Sequence, residues 1–222
     1  MGRTCPGIME VAIAGWSGLV GTELLKLLEA DPKISKVRCL GRSTAEGHGD
    51  KVIFHQVDFD SITLNDMNLD QAFCCLGTTI KKAGSQEAFR KVDHDYVISF
   101  AKWAKQRACS SFHVVSALGV KKDSPIFYNR VKAEMEYDLA QLDMKCLRIY
   151  RPALLMGDRS EFRFGEKVAI LIMKVIGPLF VGPLKKYKGI HVRQVARAMH
   201  AGIASNQSKV VQSDEMQAFS AK

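Results

Sequence analysis

The sequence predicts an α/β fold, a doubly wound parallel sheet with helices on both faces. Three observations predict it. Short apolar runs alternate with amphipathic segments of helical length, as crossovers between parallel strands require. Runs such as "VAIA", "AFCCL" and "HVV" are continuously apolar, which fits strands buried on both faces. Finally, Gly15, Gly18 and Gly21 fall directly between the first apolar run and the first helical pattern.

The elements follow in chain order. "MEVAIAG" reads as a buried strand and "GTELLKLLEA" as a helix stopped by Asp31-Pro32. "KVRCLG" and "KVIFHQVD" are strands, and "QAFCCLG" follows as a strand after a polar connection. "SQEAFRKVDHDYVISFAKWAKQR" holds one or two helices, the second amphipathic through Tyr96, Val97, Phe100 and Trp103. "SSFHVVSALG" reads as a strand, "IFYNRVKAEMEYDLAQL" as a helix, and "MKCLRIYRPALL" as a strand with its exit. After Pro152 the alternation loosens. No Gly-, Pro- or Ser-rich linker divides the chain, so residues 1–222 are expected to form a single domain, with 153–222 an appended substrate-side region.

Composition excludes several classes. The 222 residues are too many for a stapled mini-domain and about right for one large domain. Six cysteines occur without a C-x-x-C pair, so no metal site is expected, and cysteines inside apolar runs suit a reducing compartment. The opening "MGRTCPGIME" has no apolar signal region, and Pro6 stands at the Ser/Thr position of a myristoylation pattern; the expected location is the cytoplasm. "VAILIMKVIGPLFVGPL", Val168 to Leu184, is interrupted by Lys174 and Pro178 and is shorter than a typical membrane span, so a buried or pocket-lining helix is expected. Lys167, Lys174, Lys185, Lys186 and Lys188 leave peripheral contact with anionic lipid open. The net charge of +9 invites a nucleic-acid reading, but the basic residues are scattered and no aromatic-basic motif appears; a field that attracts small anionic ligands fits the same number. Nothing in the sequence sets an oligomeric state.

Chemistry enters at "AGWSGLVGTELL". A Gly-x-x-Gly-x-x-Gly spacing that leaves a strand and opens a helix is a Rossmann-type dinucleotide turn. Amides at the helix N-terminus form an anion site, and the missing side chains let pyrophosphate and sheet approach closely. The cofactor-binding residues expected here are Gly15, Trp16, Ser17, Gly18, Leu19, Val20 and Gly21. The second strand ends in "CLGRST", where an acidic residue would select NAD through the ribose 2′-hydroxyl. Arg42 occupies that position with Ser43 beside it, and a guanidinium can pair with a 2′-phosphate. NADP(H) is therefore favoured over NAD(H). Asp58 after the third strand is a candidate partner for the adenine edge, and Leu76, Gly77 and Thr78 after the fourth a candidate passage for the cofactor ribose; each also reads as a plain loop.

"SPIFYNRVKAEME" puts Tyr128 one helical turn before Lys132 on a shared face, a pair that alone reads equally as a solvated surface. With the glycine turn, and with Ser116 ending "HVVSALG" before "YNRVK", the chain resembles the short-chain dehydrogenase/reductase superfamily. "CLGTTIKKAGSQEAFRKVDHDYV", "YNRVKAEME" and "RPALLMGDRSEFR" are similar to the atypical branch containing the Tat-interacting oxidoreductase and its bacterial and fungal relatives, a resemblance running from about Val11 to about Ser205. It implies NADP(H) binding, catalytic positions at Ser116, Tyr128 and Lys132, further nucleotide contacts from Tyr128 and Lys132, and cofactor-side positions at Leu155 and Arg163. In such chemistry a carbonyl that accepts hydride needs a proton donor, an ammonium lowers the cost of forming phenolate, and a serine orients the carbonyl oxygen. Where the superfamily often has an asparagine, this chain reads "KVDHDYV", with Asp93 and His94. The expected function is an NADP(H)-dependent oxidoreductase acting on a small carbonyl or alcohol substrate by a Ser-Tyr-Lys mechanism. The alternative is an NADP-sensing regulatory or interaction protein with little turnover. A semialdehyde dehydrogenase, suggested by the similar glycine turn, would need a catalytic cysteine and a second domain.

Overall fold

The computed structural model describes residues 8–65, 67–157 and 188–220. Its centre is a seven-stranded sheet in the order β3-β2-β1-β4-β5-β6-β9, every neighbouring pair parallel. The strands are β1 (Met9–Ala14), β2 (Ile34–Gly41), β3 (Val52–Gln56), β4 (Gln71–Cys74), β5 (Ser111–Val115), β6 (Leu147–Arg151) and β9 (Lys209–Gln212). Two further strands, β7 (Leu155–Met156) and β8 (Ile190–His191), pair only with each other. The chain starts at β1, winds out through β2 and β3, and returns to β4 on the other side of β1. That reversal makes the crevice at the carboxyl ends of β1 and β4 the place where such sheets bind ligands.

Period-two alternation divides the core between the two faces. Val11 and Ile13 point to one side, where they meet α1 (Leu19–Ala30) and α6 (Val192–Ala201) through Leu24, Leu28, Val195 and Met199. Ala12 and Ala14 point to the other, beneath α4 (Tyr96–Gln106) and α5 (Phe127–Gln141), with Phe100, Trp103, Phe112, Met135 and Leu139. Each large apolar side chain buried here contributes roughly 1.5–3 kcal/mol. α1 ends because Asp31, the residue before Pro32, is held in extended backbone at φ −76° and ψ 117°.

The segment expected to hold one or two helices is continuous in three parts: α3 (Gln86–Arg90), a π-helical turn (Lys91–Asp95) and α4. Ser85 caps α3 by accepting the Ala88 amide, and Thr79 caps the short α2 (Ile80–Ala83) by accepting the Lys82 amide. Beyond β6, where the sequence pattern loosens, the chain still contributes α6, β9 and α7 (Ser213–Met216), and β9 extends the main sheet by pairing with β6. Arg163 and the apolar stretch Val168–Leu184 lie outside the described residues. Among the described residues no helix is long and apolar enough to cross a membrane.

Candidate nucleotide-binding and catalytic site

Strand register brings most of the expected residues to one edge of the sheet. Ala14 lies opposite Leu40 on one side and Cys74 on the other, and Gly41 lies opposite Gln56. The glycine turn, Arg42, Asp58 and the Leu76–Thr78 loop therefore leave their strands together. On the other wing Cys74 pairs with Val114, and the Ser116 amide donates to the Tyr150 carbonyl at 2.7 Å. This level is the carboxyl edge on which open parallel sheets hold their ligands.

The glycine turn is close-packed. Gly15 has φ +78°, and a Cβ there would lie 2.5 Å from the Cys75 carbonyl group. A Cβ on Gly21 would lie 2.1 Å from the Gly15 carbonyl oxygen, so α1 meets the turn only because that position is bare. Gly18 differs: it is the N-cap of α1 in ordinary extended backbone, with no side-chain cap bond, and the first turn of α1 carries no acidic residue. Free amides and the positive end of the helix dipole are thus left to an anion. Ser17 is exposed, Leu19 is half-buried, and Val20 buries its side chain in the core. Trp16 packs on Phe54 with ring centres 4.8 Å apart and also against Gly41, where a Cβ would meet its indole nitrogen at 2.7 Å.

A cleft of about 240 Å³ opens beside the turn, lined by Ser17, Gly18 and Thr22 from one helix start and His191, Val192 and Arg193 from another. His191 caps α6 by accepting the Arg193 amide, and Arg193 pairs with Glu23 at 3.4 Å. Sequence reasoning missed Thr22, His191 and Arg193; only the cap-forming His191 and Gln194 signal the helix start that brings them in. Arg42 and Ser43 are exposed, and Arg42 makes no ion pair with a described residue. Asp58 is exposed and accepts the Asp60 amide at 2.9 Å. Leu155 is half-buried and packs on the α1–α6 core, one residue level with Ile190.

Behind the β4 loop lies a buried charged pair. Lys132 Nζ stands 2.8 Å from Asp93 Oδ1, and the two side chains are 3% and 1% exposed. The second Asp93 oxygen accepts the Thr78 amide at 2.7 Å, which ties the β4 loop to the π-helical turn. His94, next in the turn, bridges Asp95 at 2.7 Å and Asp138 of α5 at 2.9 Å. Burial works against the Lys132 ammonium, yet Asp93 and Tyr128 outweigh it and its pKa is raised. Tyr128 lies one turn earlier on α5, its ring 5.5 Å from that of Phe89. Its pKa is raised, chiefly by burial, with Lys132 opposing and Asp93 adding to the rise. Among the described residues the Tyr128 hydroxyl has no hydrogen-bond partner.

Ser116 is buried at the carboxyl end of β5, but its hydroxyl donates to Glu136 Oε1 at 2.5 Å. Glu136 is on α5 one turn beyond Lys132 and is gripped by the Arg151 guanidinium, whose Nε stands 3.0 Å away. Tyr128, Lys132 and Glu136 thus line one helix face. Ser116 is engaged with a carboxylate that sequence reasoning did not single out, because the two glutamates of "KAEMEY" read as solvated helix surface. Burial pushes the Cys39, Cys74 and Cys109 thiols up to about 12 and raises that of Cys75 well above its ordinary value, so none of these is a thiolate near neutral pH. Among the described residues no cluster of His, Cys, Asp and Glu could hold a metal ion.

The residues fit a dinucleotide on three counts: a glycine cradle that a Cβ would crowd, uncapped helix amides, and, on the adjacent strand end, an exposed guanidinium with no ion pair among the described residues. Comparison with known proteins agrees. The family model described as "Semialdehyde dehydrogenase, NAD binding domain" matches residues 10–134. Protein HTATIP2 of Rattus norvegicus is 38% identical over 166 residues, covering 72% of this chain and 68% of the relative. Protein FMP52, mitochondrial, of Eremothecium gossypii is 31% identical over 217 residues, covering 94% and 96%. Among solved structures, "MoeE5 in complex with UDP-glucose and NAD" superposes with TM-score 0.68 at 15% identity, covering 93% of this chain and 79% of the other. Human epimerase family protein SDR39U1 with NADPH gives TM-score 0.62 at 16% identity, covering 93% and 77%.

Proposed function

The chain belongs to the atypical short-chain dehydrogenase/reductase family of HTATIP2 and FMP52, and from that premise we propose an NADP(H)-dependent oxidoreductase that reduces a small carbonyl substrate or oxidises the matching alcohol. The observation that carries the reading is the Tyr128 hydroxyl, without a hydrogen-bond partner among the described residues, one helical turn from the buried Lys132–Asp93 pair at the edge of the sheet that holds the glycine turn. NADPH, when bound, supplies a hydride with its electron pair. Gly15, Gly18 and Gly21 give the pyrophosphate close approach to backbone amides. Arg42, with Ser43, holds the 2′-phosphate and sets the preference for NADP. Asp58 would take the adenine edge, Leu76, Gly77 and Thr78 would pass the ribose, and Leu155 would lie on the cofactor side; Arg163, outside the described residues, keeps only the cofactor-side role that the resemblance implies. As negative charge builds on the substrate oxygen, the Tyr128 O–H bond breaks and its proton passes to that oxygen. Lys132 stabilises the phenolate left behind, and solvent then restores the proton. One hydride and one proton are added, giving the alcohol.

A second reading, an NADP-responsive regulatory protein with little turnover, is favoured by one observation: the Ser116 proton is already committed to Glu136. A thioester-forming semialdehyde dehydrogenase would need a reactive thiolate, and burial raises the thiol pKa of Cys39, Cys74, Cys75 and Cys109, which makes these four poor candidates. We read residues 1–222 as one folding unit with 153–222 appended on the substrate side. The cytoplasm is the compartment proposed; the fungal relatives are named as mitochondrial, and fractionation decides between the two.

The test is a pair of variants assayed against a carbonyl panel with NADPH. Tyr128→Phe keeps the ring and loses the proton, so kcat should fall about 10²–10⁴-fold with NADPH affinity unchanged. Lys132→Met should damage both rate and affinity. Native turnover by the Phe variant refutes the catalytic assignment; tight NADPH binding with no carbonyl reduced by the native protein hands the lead to the regulatory reading.

A further inference from the structure

The π-helical turn Lys91–Asp95 is a local departure from regular helix, of the kind found frequently at functional sites. Its geometric effect is definite. It carries Asp93 into the interior, where one oxygen meets Lys132 Nζ at 2.8 Å and the other takes the Thr78 amide at 2.7 Å. The turn is braced from its other side by His94, which spans Asp95 and Asp138 and so clamps it to α5, the helix of Tyr128 and Lys132. A buried carboxylate held by an ammonium and an amide has little freedom to turn away.

We propose that Asp93 is a positioning residue that pins and neutralises Lys132, so that Tyr128 rests as a phenol and the site is poised to protonate a carbonyl oxygen rather than to deprotonate an alcohol. The inference rests on the reading of Tyr128 as proton donor and adds a direction to it. A lone ammonium beside a phenol favours phenolate. An ammonium already paired with a carboxylate at contact distance keeps only part of that advantage to phenolate, because the carboxylate offsets its charge. The groups facing Lys132 are Asp93 from the π-helical turn, Tyr128 from its own helix and Cys74 from β4; those facing Tyr128 are Lys132 and Asp93. Cys74 is itself a neutral thiol, held up to about 12 by burial, so it supplies no counter-charge near neutral pH. The pKa of Tyr128 is raised by burial first; Lys132 lowers it, and Asp93 offsets part of that lowering.

The experiment titrates the Tyr128 phenol by ¹³C NMR of ring-labelled tyrosine in the nucleotide-free protein, with Tyr128→Phe identifying the resonance. In the native protein the resonance should titrate above the ordinary tyrosine value of about 10. In Asp93→Asn, which keeps an oxygen for the Thr78 amide but loses the charge, the phenolate fraction at any pH below the midpoint should rise at least tenfold. The pH profile of alcohol oxidation should move to lower pH by the same amount. A native phenol that titrates below 10, or a folded Asp93→Asn protein with an unmoved titration, overturns the proposal. The native measurement needs no variant to fold, apart from the conservative one used for assignment. Because the phenol titration requires no turnover, its failure is distinct from failure of the catalytic reading, which is decided by the rate of Tyr128→Phe.

Discussion

Arg42 is exposed at the end of β2 and makes no ion pair with a described residue. A charge in that state is inexpensive to keep and free to bind. If it holds a 2′-phosphate, Arg42→Ala should cost NADP binding about 1.5–3 kcal/mol, the range for hydrogen bonds to charged groups, while NAD affinity stays within error. Calorimetric titration of both nucleotides reads this directly; equal losses, or a native preference for NAD, refute it. Single residues of this kind were legible in the sequence because their meaning is local. Arg42 follows a strand, and Tyr128 and Lys132 lie four apart on one helix. Asp93 was visible as a departure, but its partner stands thirty-nine positions away, and only a π-helical turn aims it there. Ser116 shows the same limit from the other side. Its strand end was readable, yet its bond to Glu136 depends on how α5 lies across β5 and β6.

Between elements, the glycine turn does two separable jobs. Gly21 lets α1 approach the turn, because a Cβ there would lie 2.1 Å from the Gly15 carbonyl oxygen. Gly18 faces a milder constraint, its Cβ position 3.2 Å from the same oxygen and its backbone ordinary. Gly21→Ala should therefore destabilise the fold by about 1–3 kcal/mol as the helix shifts to relieve the overlap. Gly18→Ala should leave thermal stability near native and weaken nucleotide binding, since its added methyl faces the anion site. Urea denaturation and nucleotide titration of both variants separate the two roles; equal stability loss would show that the turn is structural throughout. The strand–turn–helix itself was readable because bare positions at three-residue spacing have few other uses. The late elements were not: α6 and β9 follow a long stretch without alternation, and β9 has only four residues, two of them exposed. Its place in the sheet comes from pairing with β6.

Across the whole molecule, a buried polar network joins the middle of the sheet to the late segment. His113, at the centre of β5, holds the Tyr150 hydroxyl with one ring nitrogen and Gln71 with the other, each at 3.1 Å. Gln71 donates to the Ile203 carbonyl, and Arg148 reaches Ser205 and Gln207. Gly202 completes the fit, since a Cβ there would lie 2.3 Å from the Tyr150 hydroxyl. Burial, assisted by the Arg148 charge, lowers the His113 pKa from 6.5 to about 3. Its sign in folding is clear. Above pH 6.5 the ring is neutral in both states and contributes no pH dependence. Below it the unfolded chain takes up a proton that the folded protein refuses until about pH 3, so stability falls with pH across that window. The slope from this one group approaches about 1.4 kcal/mol per pH unit well inside the window. Urea denaturation at steps from pH 7 to pH 4 should show that slope in addition to the carboxylate contribution. His113→Gln, which keeps a donor and an acceptor but cannot titrate, should be less stable at pH 7 yet lose stability more slowly on acidification. Its curve should therefore converge on the native one near pH 4. Parallel curves for the two proteins would mean that His113 is protonated in the fold and that the network does not exclude charge.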